Sequence, residues 1–548
     1  MEHTPERVRL GERYEELKLL RSGVNDMLID AQKYVSPNRT DFSMIRSGSG
    51  ASQDDGSKVI YDSTAIWANQ MFANGLSSYL IPKSDRWAYL KPMGTPSAQL
   101  SDEELVALER ISDRISHEFS LPVSQFYPTG HETFGDIGSF GTAVVYINRK
   151  KEVINFKSCP LGDSFFDTNE EGEVDTMYYR KFLSTKAMIQ MFPEVVNMKE
   201  FDPKSTGKTW ELVYSVEPNE DIRARKGGRI GAERPFRATY WSPGLNSILQ
   251  AGGISFFPFL VPRWAKIAGE VYGRSPAMTC LSHIRVLNKM VKELLKSAER
   301  SNDPPLVAED DSILLPINYG SRSIIYHEPG SPPPQPLVSG SQPNLTMEML
   351  RDYRDLVTRA FFVDQIIREQ KKERQSIMEV QDERGQMLQQ LGPLLSRMEN
   401  EYLGPAIEHA VEFLQDRRDP AFDEIPESLQ GRPLEIVYTS PAAHAQYASG
   451  VSNISAFLQD ITPLIQQNPA LMDNIEDNNL LDAYARMRGV PRTVIRSKDD
   501  VNKIRAQREE AESQQQMMQQ APALSGAIKD VAQAKQADPE GIGQLLAM

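Results

Sequence analysis

Cysteine is nearly missing from this 548-residue chain: Cys159 and Cys280 are the only two. Two thiols cannot supply a disulfide framework, and their scarcity points to a reducing compartment. Long apolar runs are missing as well. The most apolar stretch, from Ile254 to Val261, falls far short of the roughly 18 residues that a membrane span needs, and the mean hydropathy is -0.45. The first residues, Met1 to Arg7, are polar, and no apolar segment follows them as it would in a secretory signal. No membrane partner is expected. Cations are in deficit: Lys and Arg number 61 against 75 Asp and Glu, a net charge of -14. Tight nucleic-acid clamps neutralise phosphates with a basic footprint, so the chain as a whole is not one. Locally arranged cations remain able to touch DNA transiently.

The signatures of catalysis and metal binding are also missing. Gly207-Lys208-Thr209 resembles the end of a phosphate loop, but Asp202 stands where the first glycine is required, so no backbone cradle forms on this pattern. Gly135, Gly138 and Gly141 are spaced by three and three, which reads as a helix end feeding a strand rather than a dinucleotide fingerprint. Asp473-Asn474-Ile475-Glu476-Asp477 fails as a calcium loop at Ile475. The seven histidines are widely separated, and no metal or cofactor is expected. These patterns yield no enzyme.

What the chain does have is helical periodicity around a mixed middle, an α+β composition that is mostly helical. Residues 5–36 carry one apolar stripe: Leu10, Tyr14, Leu17, Leu20, Val24, Leu28, Ala31 and Val35. Pro37 ends it. Residues 47–58 read as a mobile loop. A second helix is expected from about Val59 to Leu80, with Trp67, Met71, Gly75 and Ser78 on its packing face. A third runs from Asp102 to Phe119, opened by a capping box of Ser101 and Glu104. Strands follow at Thr142–Ile147, Glu211–Val216 and Phe236–Trp241. A hairpin turning at Glu171-Gly172 joins Phe165-Phe166 to Met177-Tyr178-Tyr179.

The most informative helix spans about Pro276 to Arg300. Leu281, Ile284, Leu287, Val291, Leu294 and Ala298 form one stripe. Arg285, Lys289, Lys292, Lys296 and Arg300 form another, facing nearly the opposite way at 100° per residue. On pattern alone, a solvated helix face explains the cations best. Residues 303–343 are short apolar runs broken by Gly and by Pro332-Pro333-Pro334. Leu345 to about Gln415 reads as helical, but an unbroken helix from Pro343 to Pro393 would run about 75 Å, so a break is expected at Gln370–Ser376. Leu434–Tyr438 is a strand, and Ala442 to about Gln467 and Leu480–Arg488 are helices. The Gln-rich tail beyond Arg505 shows no sustained apolar stripe.

Five segments, in order, resemble the head-to-tail connector, or portal, proteins of short-tailed bacteriophages. They are Tyr61-Asp62-Ser63-Thr64-Ala65 with Ala73-Asn74-Gly75-Leu76 and Arg86-Trp87; Phe134-Gly135 with Phe140-Gly141-Thr142-Ala143; Pro262-Arg263-Trp264 leading to Gly269-Glu270-Val271-Tyr272-Gly273-Arg274-Ser275-Pro276-Ala277; Met378-Glu379-Val380 with Glu383-Arg384 and Leu391-Gly392-Pro393-Leu394-Leu395-Ser396-Arg397; and Tyr438-Thr439-Ser440-Pro441-Ala442-Ala443 with Gln446.

The resemblance implies a portal fold of wing, two-helix stem, clip and crown, assembled as a ring of twelve at a unique capsid vertex of the virion. Assembly would take place in the host cytoplasm, and double-stranded DNA would pass through the channel in packaging and ejection. It implies a wing at 1–262, a first stem helix at 263–301, a clip at 302–343 and a second stem helix at 344–370. A channel loop follows at 371–377, the wing return and crown at 378–490, and a crown or tail at 491–548. On this map Lys371, Lys372 and Arg374 approach the DNA, or else pair with Glu369 and Glu373. Arg285, Lys289, Lys292 and Lys296 face either the lumen or a neighbouring subunit. Glu309, Asp310 and Asp311 are motor-docking charges for a terminase packaging ATPase, since this chain has no phosphate loop. Tail adaptor, major capsid and scaffolding proteins are the other implied partners. The competing expectations are a ring-forming tail or capsid adaptor without a DNA-conducting channel, and a hydrolase built from scattered carboxylates.

Overall fold

Alternation, capping and aromatic packing account for most of the elements seen in the computed structural model. It describes residues 5–39, 60–94 apart from 85, 100–198, 201–219 apart from 205–206, 234–302, 306–307, 335–336, 343–363, and 392–439 apart from 424 and 430. Isolated positions at 42 and between 457 and 511 complete the set. Met1–Met93 and Ala107–Gln446 form one unit, and Gly94–Val106 with Tyr447–Met548 form another.

Helix α1 (Pro5–Val35) opens the chain. Leu10, Tyr14, Leu17, Leu28, Ala31 and Val35 are buried as the stripe requires, but Leu20 is 42% exposed. The neighbouring position, Arg21, goes inside instead. Its guanidinium donates to the carbonyls of Leu161 and Gly162 at 3.1 and 2.8 Å and lies over the Phe165 ring. A cation is stable there because it meets carbonyl dipoles and a π face together.

Helix α2 (Thr64–Leu80) begins five residues later than the periodicity suggests. Asp62 explains the start, since its Oδ1 accepts the Thr64 N–H at 2.9 Å. Its packing face matches the expected one only at Gly75. Ala65, Ala68, Asn69, Phe72, Ala73, Gly75 and Leu76 are buried, while Trp67 is 44% exposed. Small residues let α2 come close to a neighbour on the first of these faces, and the bulk of Trp67 is left outside.

Strand β1 (Ala88–Pro92), absent from the sequence reading, is followed by helix α3 (Asp102–Ser120). The capping box is present: Ser101 N–H donates to Glu104 Oε2 at 2.9 Å and Glu104 N–H to Ser101 Oγ at 3.2 Å. Helix α4 (Phe126–Phe140) ends at Gly141, whose φ of +74° lets its N–H return to the Ile137 carbonyl. The three glycines therefore are a helix end feeding a strand, β2 (Val144–Lys150).

Strands β2, β3 (Val153–Cys159) and β9 (Phe259–Leu260) make a three-stranded sheet in the order β3-β2-β9. A five-stranded antiparallel sheet follows chain order: β4 (Ser164–Thr168), β5 (Val174–Ser184), β6 (Thr209–Pro218), β7 (Phe236–Ser242) and β8 (Ser247–Ile254). The expected hairpin at Gly172 joins β4 to β5. Gly207 and Lys208 turn the chain into β6, a strand rather than the helix a phosphate loop requires. Strand β8 escapes sequence pattern because Ala251, Gly252 and Gly253 dilute its alternation. Helix α5 (Thr185–Met191) follows β5, capped by Ser184.

Helix α1 lies on the large sheet. Leu10, Tyr14 and Leu17 pack with Phe165, Tyr178, Val213 and Trp241, and the Tyr14 ring meets Phe165 and Trp241 edge-on. Polar groups pin the same contact: Arg9 pairs with Glu217 at 2.6 Å, Arg13 with Asp167 at 2.6 Å, and Glu6 with Arg237.

Candidate stem and its anchorage

Helix α6 (Pro276–Asn302) and helix α7 (Pro343–Ala360) run antiparallel, side by side. Between them β10 (Leu306–Val307) pairs with β11 (Gln335–Pro336). The His283 and Tyr353 rings, 5.8 Å apart, set the register of the two helices. Helix α6 opens on Ser275, whose hydroxyl accepts the Met278 N–H at 2.9 Å and donates to the Ser139 carbonyl at 2.9 Å.

The apolar stripe of α6 is buried at Leu281, Ile284 and Leu287, half-buried at Val291 and Leu294, and exposed at Ala298. Burial thus declines along the helix. The cationic stripe is on the opposite, outer side, as the spacing requires. Arg285 pairs with Asp30 of α1. Lys292 is half-buried, with its ammonium 5.4 Å from the centre of the Tyr61 ring. Lys296 holds Glu293 at 3.0 Å, which keeps that carboxyl below its ordinary range. Lys289 is exposed and forms no hydrogen bond or ion pair with any described residue. Pattern therefore identified the face, but the partners Asp30 and Tyr61 lie more than 200 residues away and left no local signal.

Both helices are tied to the same short segment of the body, Tyr61–Asp62. The Asn288 side-chain carbonyl accepts the Tyr61 and Asp62 N–H groups at 2.7 and 3.3 Å. Arg354 of α7 donates to Asp62 through Nε and Nη2, at 3.0 and 2.7 Å. Burial acts to raise the Asp62 carboxyl, but hydrogen bonds from Thr64 and Arg354 outweigh it and hold the group below its usual range.

The segment leading into α6 crosses the α4–β2 junction at backbone distance. Gly273 N–H donates to Thr142 Oγ1 at 2.8 Å. A methyl group on Gly141 would stand 2.5 Å from the Arg274 carbonyl carbon and 2.5 Å from the Ser275 nitrogen. Arg263, only 2% exposed, closes the junction. It donates to Glu401 from its backbone N and from Nε and Nη2, at 2.8, 3.1 and 2.7 Å, and to the Val271 and Gly172 carbonyls.

Helix α7 ends at Ala360, ten residues before the helix end expected at 370. Phe361 is fully buried and meets the Phe72 ring at 6.4 Å; Phe362, at φ +58°, packs on Trp264 at 6.1 Å. Two adjacent aromatics anchored to the body pull the chain out of helical geometry, which residue-by-residue propensity does not reveal. The expected break at 370–376 lies outside the described residues, as do Lys371, Lys372 and Arg374. So do the motor-docking candidates Glu309, Asp310 and Asp311, the short strands expected at 312–317 and 323–326, and the loop at 47–58. Of the helix expected at 442–467 only 457 and 461–463 are described, and they are helical; most of the Gln-rich tail lies outside the described residues.

The returning chain is helical from 392 and forms a π-turn at Glu399–Leu403 before helix α8 (Gly404–Asp416). Burial of Glu399 pushes its carboxyl up to about 7. His409, half-buried on α8 against the Phe256 ring, is pushed down to about 4 by the same loss of water. Strand β12 (Leu434–Tyr438) then pairs with β1, as the sequence pattern suggested for 434–438 alone. Cys159 and Cys280 are both buried free thiols. No described helix is long and apolar enough to cross a membrane, and no metal-ligand cluster occurs among the described residues.

The antiparallel helix pair is braced at one end by the bonds of Asn288 and Arg354 to the Tyr61–Asp62 segment. The chain belongs to the family of bacteriophage head to tail connecting proteins, whose model matches residues 7–495. This is a family of structural connectors, not enzymes. The chain is 26% identical over 559 residues to the portal protein of Salmonella phage epsilon15, covering 98% of this chain and 97% of that one. It is 25% identical over 421 residues to a probable portal protein of Bordetella phage BPP-1, covering 73% of each. Among solved structures, the neck of an empty GTA particle computed with C6 symmetry matches with a TM-score of 0.36 and 9% identity, covering 77% of this chain and 90% of that one. A likeness at that score supports no structural conclusion.

Proposed function

We propose that this chain is the portal of a phage head: a closed ring through whose bore double-stranded DNA enters in packaging and leaves in ejection. The observation that carries the reading is the family match along residues 7–495. The relatives' shared description as portal proteins, one of them matched end to end, supports it. The braced helix pair is consistent with it, because a column that must bear load needs both legs fixed to the body.

The ring would hold twelve copies, about 740 kDa for a chain of 61.7 kDa under closed cyclic symmetry. A net charge of -14 per copy with sparse cations favours sliding over holding, since each phosphate contact is brief. Lys371, Lys372 and Arg374 are the proposed loop contacts to DNA. Glu309, Asp310 and Asp311 are the proposed docking charges for a separate packaging ATPase, and tail adaptor, capsid and scaffolding proteins are the remaining partners. The site is the capsid vertex of the virion, after assembly in the host cytoplasm.

Native mass measurement with axial electron micrographs tests the proposal. A species near the ring mass with an open centre is expected. A lone polypeptide at every concentration, with capsid partners present, would end it, and a closed centre would favour an adaptor ring. Alanine at Lys371, Lys372 and Arg374 together should alter packaging or DNA retention while the ring still assembles. Charge reversal across Glu309–Asp311 should weaken motor binding.

A further inference from the structure

The outer face of α7 carries Glu348, Asp352 and Asp355, spaced by four and three. By the 100° rule these lie on one side of the helix, opposite the buried Leu350, Val357 and Phe361. All three carboxylates are exposed, and none forms a side-chain hydrogen bond or ion pair with a described residue. Beside them stand Met349 and Leu356, seven residues apart and both exposed. Three carboxylates on one helix face make it acidic and open to a cation from outside. Of the helix's own cations, Arg354 is committed to Asp62, while Arg351 and Arg359 are exposed, Arg359 four residues beyond Asp355.

The outer face of α6 offers the complement. Arg285, Lys292 and Lys296 each have a partner within the chain; Lys289, beside the exposed Val286 and one turn before Glu293, and Arg300 near the helix end form no hydrogen bond or ion pair with a described residue. The His283–Tyr353 contact fixes the relative height of the two helices. Counting out from it in opposite directions puts Glu348 level with Asn288. Lys289 is one residue further, about 1.5 Å along the axis. Val286 comes level with Leu350, next to Met349.

In a cyclic ring every copy stands at the same height. For stem helices running along the ring axis, residues level within one chain are therefore level across the seam between copies. We propose that the α6 face bearing Val286 and Lys289 is covered by the α7 face of the next copy. Lys289 meets Glu348 and Asp352 there, and Val286 packs on Met349. The inference rests on the ring reading above and assigns Lys289 to the inter-copy seam, not to DNA. It suits an interface whose charges set register while small apolar contacts exclude water.

The test uses the full chain and its ring. Lys289→Glu and Glu348→Lys should each lower the fraction of chain in rings by about tenfold at low salt, and the double reversal should restore it. The double variant guards against a folding defect, since it carries both changes. Independently, Val286→Cys with Met349→Cys should yield an oxidised ladder of cross-linked chains on a denaturing gel. Normal rings from either single reversal, no recovery in the double, or no ladder from an assembled ring would overturn the seam. So would a Lys289→Glu ring that forms normally but loses DNA. If the wild-type chain forms no ring, the ring reading itself has failed, a result distinct from any of these.

Discussion

Arg263 holds Glu401 with three donors, its own backbone N–H and two guanidinium nitrogens, across 138 residues of sequence. The pair joins the approach to α6 with the π-turn that leads into α8. Two further guanidinium bonds reach Val271 and Gly172, so one cation secures the approach to α6 to the β4–β5 hairpin. Removing Glu401 would strand a buried charge. Glu401→Ala should cost about 3–5 kcal/mol of stability, measured by urea unfolding. A loss near zero would show that water reaches Arg263 readily.

Asp62 titrates below its reference of 3.8 because Thr64 and Arg354 stabilise its charge. A carboxylate depressed in the folded state adds stability above its unfolded value, and that stability disappears as pH falls through the folded one. Asp62→Asn should therefore narrow the drop in thermal midpoint below about pH 4, compared with wild type, while lowering the midpoint at pH 7. Parallel acid limbs for the two proteins would refute the assignment.

Glu399 behaves in the opposite sense. Burial raises it from 4.5 to about 7, so the folded state binds the proton more tightly and loses stability as pH rises across that interval. Glu399→Gln keeps the neutral shape. It should raise the thermal midpoint at pH 8 and change it little at pH 4. An equal effect at both values would mean that charge is not the cause.

Gly141 combines a φ of +74° with backbone on every near side. Gly141→Ala should destabilise the protein by about 1–3 kcal/mol through strain and collision, seen as a lower urea midpoint. Gly94→Ala shares the positive φ but has open space around it, and it should cost less.

Much of this architecture is legible in residue order. Helix α1, the capping box of α3, the Gly172 hairpin and both faces of α6 follow from periodicity and local hydrogen bonding, which act within a few residues. Where the reading slips, the decisive partner is remote. Arg21 enters the core because carbonyls 140 residues away receive it, and Leu20 is left outside. Helix α7 stops at Ala360 because Phe361 and Phe362 find Phe72 and Trp264. Strand β1 needs β12, nearly 350 residues on, to become a strand at all. The partners of the cationic stripe, Asp30 and Tyr61, belong to the same class of long-range information.

The burial pattern of α6 makes it a cantilever. Every fully buried side chain lies between Pro276 and Asn288, at the clamped end of the helix, which is kinked at Cys280 and runs straight from there for about 33 Å. The remaining 14 residues, 289–302, project with only half-buried or exposed side chains. Bending of a beam fixed at one end concentrates its displacement at the tip and its stress at the root. Forces applied near Asn302 would thus be felt at Asn288, Asp62 and Arg354, where the hydrogen bonds are.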